Sequence, residues 1–436
     1  MEFLVVVLSV VITFLCVWFL FFEYYKGSLI NTVNIFVALC VLDFYLPLLI
    51  RFYYPLDTVN SPWVKSVIYG DYGFSLIIFT IGLLFFVLGS ILAGKVKVLT
   101  KDIKEVNYKT NKVIFSFVAL SFLYLIMQYY LINFYGGVTE YLNYKFKFRW
   151  LGSNDILVPG SVKYINFFSP VILQMIFISS ALIIYYRDNY KNNIFIILCV
   201  IICVFFAMTT FFRGTIVNYF LGVLFFEMIR LREKKEIRTR IKRRTMNRVI
   251  FAMLAMFIFF GMYRTVQSNI AWDEVNNNTK VTLASEINKN IKGNVLTGFT
   301  AVNEYYINGE LFLGKTFYDM LMLPIPRSIY TSKPEWYGID DITRRMGWPN
   351  TTQSAVSPQG ELVANFGCFG IVFMIMFGFM FGFFDKNAKE SKFFGLIYAF
   401  VLLPSITTFF WMSFTGFINA IKYIPILILY LNYLKK

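Results

Sequence analysis

FLVVVLSVVITFLCVWFLFF, residues 3–22, runs for twenty residues with no charge, glycine or proline. At 1.5 Å of rise per residue a helix of that length crosses the roughly 30 Å hydrocarbon core of a bilayer. Glu2 precedes the run and Lys26 follows it, with no basic segment ahead and no small-residue cleavage pattern behind. It therefore reads as a retained helix inserted N-terminus outward, not as a cleaved signal peptide. The rest of the chain follows suit. Its 436 residues are 58% hydrophobic and 15% charged, with a mean hydropathy of +0.62, where soluble domains sit near half apolar and a quarter charged.

Working outward from residues 3–22, long uncharged runs give eleven candidate spans: 3–22, 29–50, 74–94, 113–135, 164–186, 194–212, 215–229, 249–263, 362–384, 393–411 and 414–434. The expected fold is an all-α polytopic membrane domain covering residues 1–436 with about 11 transmembrane helices. Loop charge tests the count. The loops after the odd-numbered spans, with the C-terminal tail, hold more than half of the 41 basic residues in short segments. The positive-inside rule then places the N-terminus outside and the C-terminus in the cytoplasm.

The net charge of +16 raises the question of a nucleic-acid partner. Its densest source is RLREKKEIRTRIKRRTMNR, residues 230–248, wedged between two apolar runs. A positive-inside cytoplasmic loop facing anionic membrane lipids accounts for it, with no nucleic acid. The chain has no histidine, which removes the Ser/His/Asp triad, the Cys/His pair and the imidazole proton shuttle. All five cysteines lie in apolar runs and read as small buried hydrophobes, and neither a metal site nor a cofactor is expected.

Two long segments, 136–163 and 264–361, fall on the extracytoplasmic face, so function is expected there. Arg213 sits in FFRGTIVNYF, a turn between two apolar runs, where a guanidinium at the membrane surface needs an anionic partner: a phospholipid phosphate or a ligand phosphate. LMLPIPRSIYTSKPEWYG, residues 321–338, places Arg327 and Lys333 on a proline-stiffened segment beside Tyr330, Trp336 and Tyr337. SPQGELVANFGCFG, residues 357–370, leads into the ninth run. There Glu361 is expected at the helix start, either as a dipole-stabilising cap or as a general base, with Glu304 and Glu310 as competitors. Gly360, Gly367 and Gly370 are expected to permit close helix packing. Asp340 and Asp341 are adjacent rather than spaced as D-x-D, and there is no P-loop, G-x-G-x-x-G or G-x-S-x-G. Inside the spans the charges are Asp43, Glu227 and Lys422, a sparse set for an ion-coupled transporter.

Arg213 with Gly214, Gly314 in FLGKTF, the run Pro326, Arg327, Lys333 and Pro334, and the stretch with Gly360, Glu361, Phe366, Gly367 and Gly370 together give a pattern that resembles the O-antigen polymerase (Wzy-type) oligosaccharide repeat-unit polymerases. The matching part covers residues 211–382, and the first half matches by architecture alone. The resemblance implies a bacterial cytoplasmic (inner) membrane enzyme that moves a growing glycan from polyprenyl diphosphate onto a lipid-linked repeat unit. It implies polyprenyl-diphosphate-linked oligosaccharides as donor and acceptor, with a chain-length regulator and a flippase as partners. It also implies diphosphate binding by Arg213, Arg327 and Lys333, with Arg264 and Arg344 as second choices. Sugar stacking would fall to Tyr330, Trp336 and Tyr337, and assistance to the acceptor hydroxyl to Glu361 or Glu304. A ligase of the O-antigen type and a lipid-linked saccharide flippase are the alternatives. The ligases resemble one another in an outer-loop histidine that this chain lacks.

Overall fold

The computed structural model describes residues 2–26, 31–53, 72–96, 107–141, 160–187, 193–210, 213–233, 294–307, 309–322, 338–346 and 356–435. These are nearly all helical, and the one β feature among them is an isolated bridge between Tyr108 and Lys435. Seven helices are long and apolar enough to cross a membrane, and three shorter apolar helices accompany them. The protein is a multi-pass helical membrane protein. The chain divides into two compact units.

The first unit is built from residues 1–97, 279–386 and 405–421. It contains α1 (Glu2–Lys26), α2 (Thr32–Cys40), a π turn (Val41–Tyr45), α3 (Leu46–Tyr53) and α4 (Tyr72–Lys95). After these come α5 (Asn294–Ile307), α6 (Lys315–Leu321), α7 (Ile339–Arg345), α8 (Ser357–Phe366), a 3₁₀ segment (Gly367–Phe373), α9 (Met374–Ala388) and most of α10 (Leu403–Ile421). Only 11% of the α1 span is covered by protein, the signature of a helix solvated by lipid tails. Lipid is as apolar as leucine, so close packing and interhelical hydrogen bonds, not water exclusion, hold such helices together. Phe44 stacks on Phe79 at 3.7 Å between centroids, and Phe299 meets both edge-on. Asn31 caps α2, while Asp385 of α9 accepts from the Thr32 amide at 3.1 Å and the Thr32 hydroxyl at 2.8 Å.

Helices α4 and α9 touch backbone to backbone. A Cβ on Gly378 would lie 2.8 Å from the Phe86 Cα, and one on Gly89 would lie 2.7 Å from the Phe379 nitrogen. Two turns earlier on the same face of α4, Gly82 admits the Gln359 side chain, whose Cγ lies 2.9 Å from where a Cβ would be. Gln359 is fully buried, and neither atom of its amide has a hydrogen-bond partner. Each such atom costs about 1–3 kcal/mol, so Gln359→Leu is expected to raise the apparent Tm in detergent. An unchanged or lowered Tm would contradict this.

The second unit comprises residues 98–278, 387–404 and 422–436. Its helices are α11 (Thr110–Phe134), α12 (Gly160–Tyr185), α13 (Asn193–Thr209), α14 (Arg213–Glu233), α15 (Lys392–Ile397) with a π turn (Tyr398–Leu402), and α16 (Ile424–Leu434). Hydroxyl pairs stitch it: Tyr124 with Thr209 at 2.9 Å and Ser180 with Tyr219 at 2.8 Å. Arg187 pairs with Glu227 at 3.2 Å, and Lys422 lies over the Tyr423 ring at 5.0 Å. In the first unit Trp411 donates to Asp43 at 2.6 Å. The three charges read within the spans are thus all engaged locally, as the low dielectric requires.

Several sequence boundaries shift. The described part of the second run is helical from Thr32 and widens into the π turn at Val41–Tyr45. The ninth, expected as one helix over 362–384, begins at Ser357 and breaks at Gly367. The tenth continues past 411 to Ile421 across a kink at Ser413, and the eleventh is helical as a separate element from Ile424. The eighth, 249–263, lies outside the described residues. Segment 264–361 carries α5, α6, α7 and the start of α8, segment 136–163 ends inside α12, and α14 extends into the basic block as far as Glu233.

Candidate functional site

Two interrupted helices meet in the first unit. At Gly367 the chain adopts φ 63° and ψ −160°, a conformation open to glycine, and the 3₁₀ segment folds back so that Gly370 packs on the Leu362 carbonyl. Gly367 therefore serves the break itself, not the helix packing expected from sequence. At Ser413 the chain adopts φ 51° and ψ −143°, and Gly416 packs on the Thr408 carbonyl. Each break frees backbone groups that must find partners away from water.

Short helix α6 and the strand of chain before it supply those partners. The Phe312 amide donates to the Ala364 carbonyl at 3.0 Å and the Leu313 amide to the Asn365 carbonyl at 2.9 Å, closing the end of α8. The Gly314 amide donates to Asn365 Oδ1 at 3.1 Å, and Asn365 Nδ2 donates to Thr316 Oγ1 at 2.7 Å and to the Glu361 carbonyl at 2.8 Å. Both donors of the Asn365 amide and one of its two acceptor lone pairs are used. Thr316 Oγ1 in turn donates to Glu361 Oε1 at 2.7 Å. The other carboxyl oxygen, Oε2, accepts the Phe414 amide at 3.2 Å, and the Ser413 side chain also bonds this carboxyl. Glu361 is thus a clasp between the two breaks. It is fully buried and lies a turn inside α8, whose first turn holds no acidic residue. The cap at a helix start expected from sequence is corrected: Pro358 occupies that turn instead.

The next face of α6 carries charge. Lys315 Nζ lies 3.7 Å from Asp341 Oδ2 of α7. One turn on from Lys315, Asp319 is 4% exposed, and its Oδ2 is buried with no hydrogen-bond partner. Burial raises the Asp319 pKa above the ordinary carboxylate value; Lys315 lowers it and Asp341 raises it. Arg345 of α7 lies over the Phe312 ring at 3.9 Å, and Tyr305 donates to the Arg345 carbonyl at 3.0 Å.

Of the residues singled out from sequence, Glu361 is in the clasp, Glu304 and Glu310 are exposed, and Arg344 is exposed on α7. Arg213 begins α14, in the second unit. Arg264, Arg327, Tyr330, Lys333, Trp336 and Tyr337 lie outside the described residues. Thr316, Asn365, Asp319 and Ser413 escaped the sequence reading. The available signal was a polar residue in an apolar or aromatic context, as in VANFG and WMSFTG. Among the described residues, no group of three Cys, Asp or Glu could hold a metal ion. No family model, curated protein or solved structure matches this chain.

Proposed function

We propose that this chain is a bacterial surface-polysaccharide polymerase that transfers a growing polyprenyl-diphosphate-linked glycan onto a lipid-linked repeat unit at the outer face of the cytoplasmic membrane. The supporting observation is that two segments carrying the resemblance, one around Gly314 and one at 360–370, meet in one place. The Gly314 amide donates to Asn365, and the Phe366 ring lies 3.4 Å from where a Gly314 Cβ would be. A donor bearing a diphosphate leaving group needs cations for the developing charge and a base for the acceptor proton, with no histidine required.

In this reading the chain crosses the membrane eleven times, N-terminus outside, and segment 264–361 faces the outer side. Arg213, Arg327 and Lys333 hold the diphosphates, with Arg264 and Arg344 behind them, and Tyr330, Trp336 and Tyr337 stack on sugars. Arg327→Lys is expected to lose most chain growth, because a point charge cannot replace a bidentate fork. Full growth at normal protein level would remove Arg327 from the site.

The interrupted helices favour one second reading, a lipid-linked saccharide flippase, since transporters use such breaks at their binding sites. A mass profile of lipid-linked saccharides, resolved by repeat number, in cells with and without the chain separates the two. Loss of long forms with single units accumulating outside is the polymerase result. Units trapped on the cytoplasmic side would be the flippase result, and long polymers left on lipid a ligase result.

A further inference from the structure

Proton transfer in such a reaction needs a carboxylate with an unengaged oxygen. Glu361 does not offer one readily, since both its oxygens are bound by groups that hold the helix breaks together. Glu304 is exposed, where water competes for it. Asp319 differs from both. Its Oδ2 is withdrawn from solvent and accepts nothing from the protein, which leaves this carboxyl oxygen with lone pairs available to a proton.

Its neighbours are chemically apt. Lys315, its side chain half-exposed, stands one helical turn before it, and its ammonium lies 3.7 Å from the Asp341 carboxylate of α7. On the adjoining face of α6, Thr316 is bonded to the Glu361 carboxyl and Met320 accepts from Thr415 at 2.8 Å, fixing the helix against both interrupted helices. Asp319 is therefore carried on an element whose position is over-determined, as a reacting group requires.

We propose that Asp319, held on α6 with one carboxyl oxygen unengaged, is the general base of the transfer. This rests on the polymerase reading. The acceptor hydroxyl oxygen bonds to the anomeric carbon of the donor, and its proton passes to Asp319 Oδ2. The bond from that carbon to the diphosphate oxygen breaks, with both electrons leaving on polyprenyl diphosphate. A base whose proton affinity is raised by burial toward the working pH is more effective than an ordinary aspartate.

The test is chain growth in membrane vesicles containing the full protein, supplied with polyprenyl-diphosphate-linked repeat units from cells lacking it, measured across pH. Wild-type growth should fall on the acidic side with a midpoint above that of an ordinary aspartate. Asp319→Asn should slow growth about 100- to 10,000-fold at unchanged protein level. The charged groups acting on Asp319 are Lys315 on its own helix and Asp341 on α7, and their variants should move the acid limb oppositely. Lys315→Met shifts it to higher pH, and Asp341→Asn to lower pH. A merely structural role for Asp319 would not produce that pair of shifts. Wild-type growth matched by Asp319→Asn, or an acid limb unmoved in both neighbour variants, overturns the assignment alone. Absence of chain growth with the wild-type protein overturns the polymerase reading and the assignment together.

Discussion

Gly378→Leu is expected to yield almost no folded protein from detergent extracts. A leucine Cβ there would press on the Phe86 backbone, 2.6 Å from its carbonyl carbon, and Gly89 makes the reciprocal contact 2.9 Å from the Ile375 carbonyl carbon. Neither obstacle is a flexible side-chain tip, so α4 and α9 must separate along their length. Overpacking a core typically costs about 1–3 kcal/mol, and a backbone-to-backbone clash lies at the upper end or beyond. Against a total stability of about 5–15 kcal/mol that loss is severe. The control is Gly94→Leu on α4, where a Cβ meets nothing within 4 Å, and it should extract normally. Equal recovery of the two variants in size-exclusion profiles would show that the helices do not meet at these glycines.

Loss of the Glu361 carboxyl should be nearly as damaging. In Glu361→Ala the Phe414 amide and the Thr316 hydroxyl lose their acceptor in a place that water does not reach. Each unpaired group costs about 1–3 kcal/mol, and a cavity adds to it. Glu361→Gln keeps the shape but turns its own amide protons toward groups that donate to the carboxyl, so it should be intermediate. Glu304→Ala, at an exposed position, should match wild type. Apparent Tm in detergent orders the four proteins. A Glu361→Ala midpoint equal to that of wild type would leave the clasp without a structural role.

The long spans are legible in the sequence because hydrocarbon thickness dictates apolar length: residues 3–22, 74–94 and 113–135 read directly as α1, α4 and α11. The helix breaks are not. Gly367 lies within the ninth apolar run and Ser413 between the tenth and the eleventh, and a break costs nothing in hydropathy. Its backbone partners sit some fifty residues away or more, beyond the reach of periodicity. Reading the tenth run as ending at residue 411 and the next as starting at 414 brackets Ser413, yet the chain stays helical beyond it and separates only before Ile424. Glu361 stands out as a carboxylate among glycines, whereas Thr316 and Asn365 acquire meaning only once α6 is laid against α8. Asp319 in KTFYDML looks like an ordinary surface residue of a short helix, and burial alone distinguishes it.

The clasp also imposes an order in time. Thr316 leaves the ribosome 49 residues ahead of Asn365, roughly 2–10 s at ordinary elongation rates, and the Phe414 amide follows Glu361 by 53 residues more. Throughout that interval the amides of Phe312, Leu313 and Gly314 lack their native acceptors. A nascent chain halted before Phe414 holds α6 without the second helix break to seat it. The arrangement around Asp319 thus comes into being only near the end of synthesis, and incomplete chains are left without it.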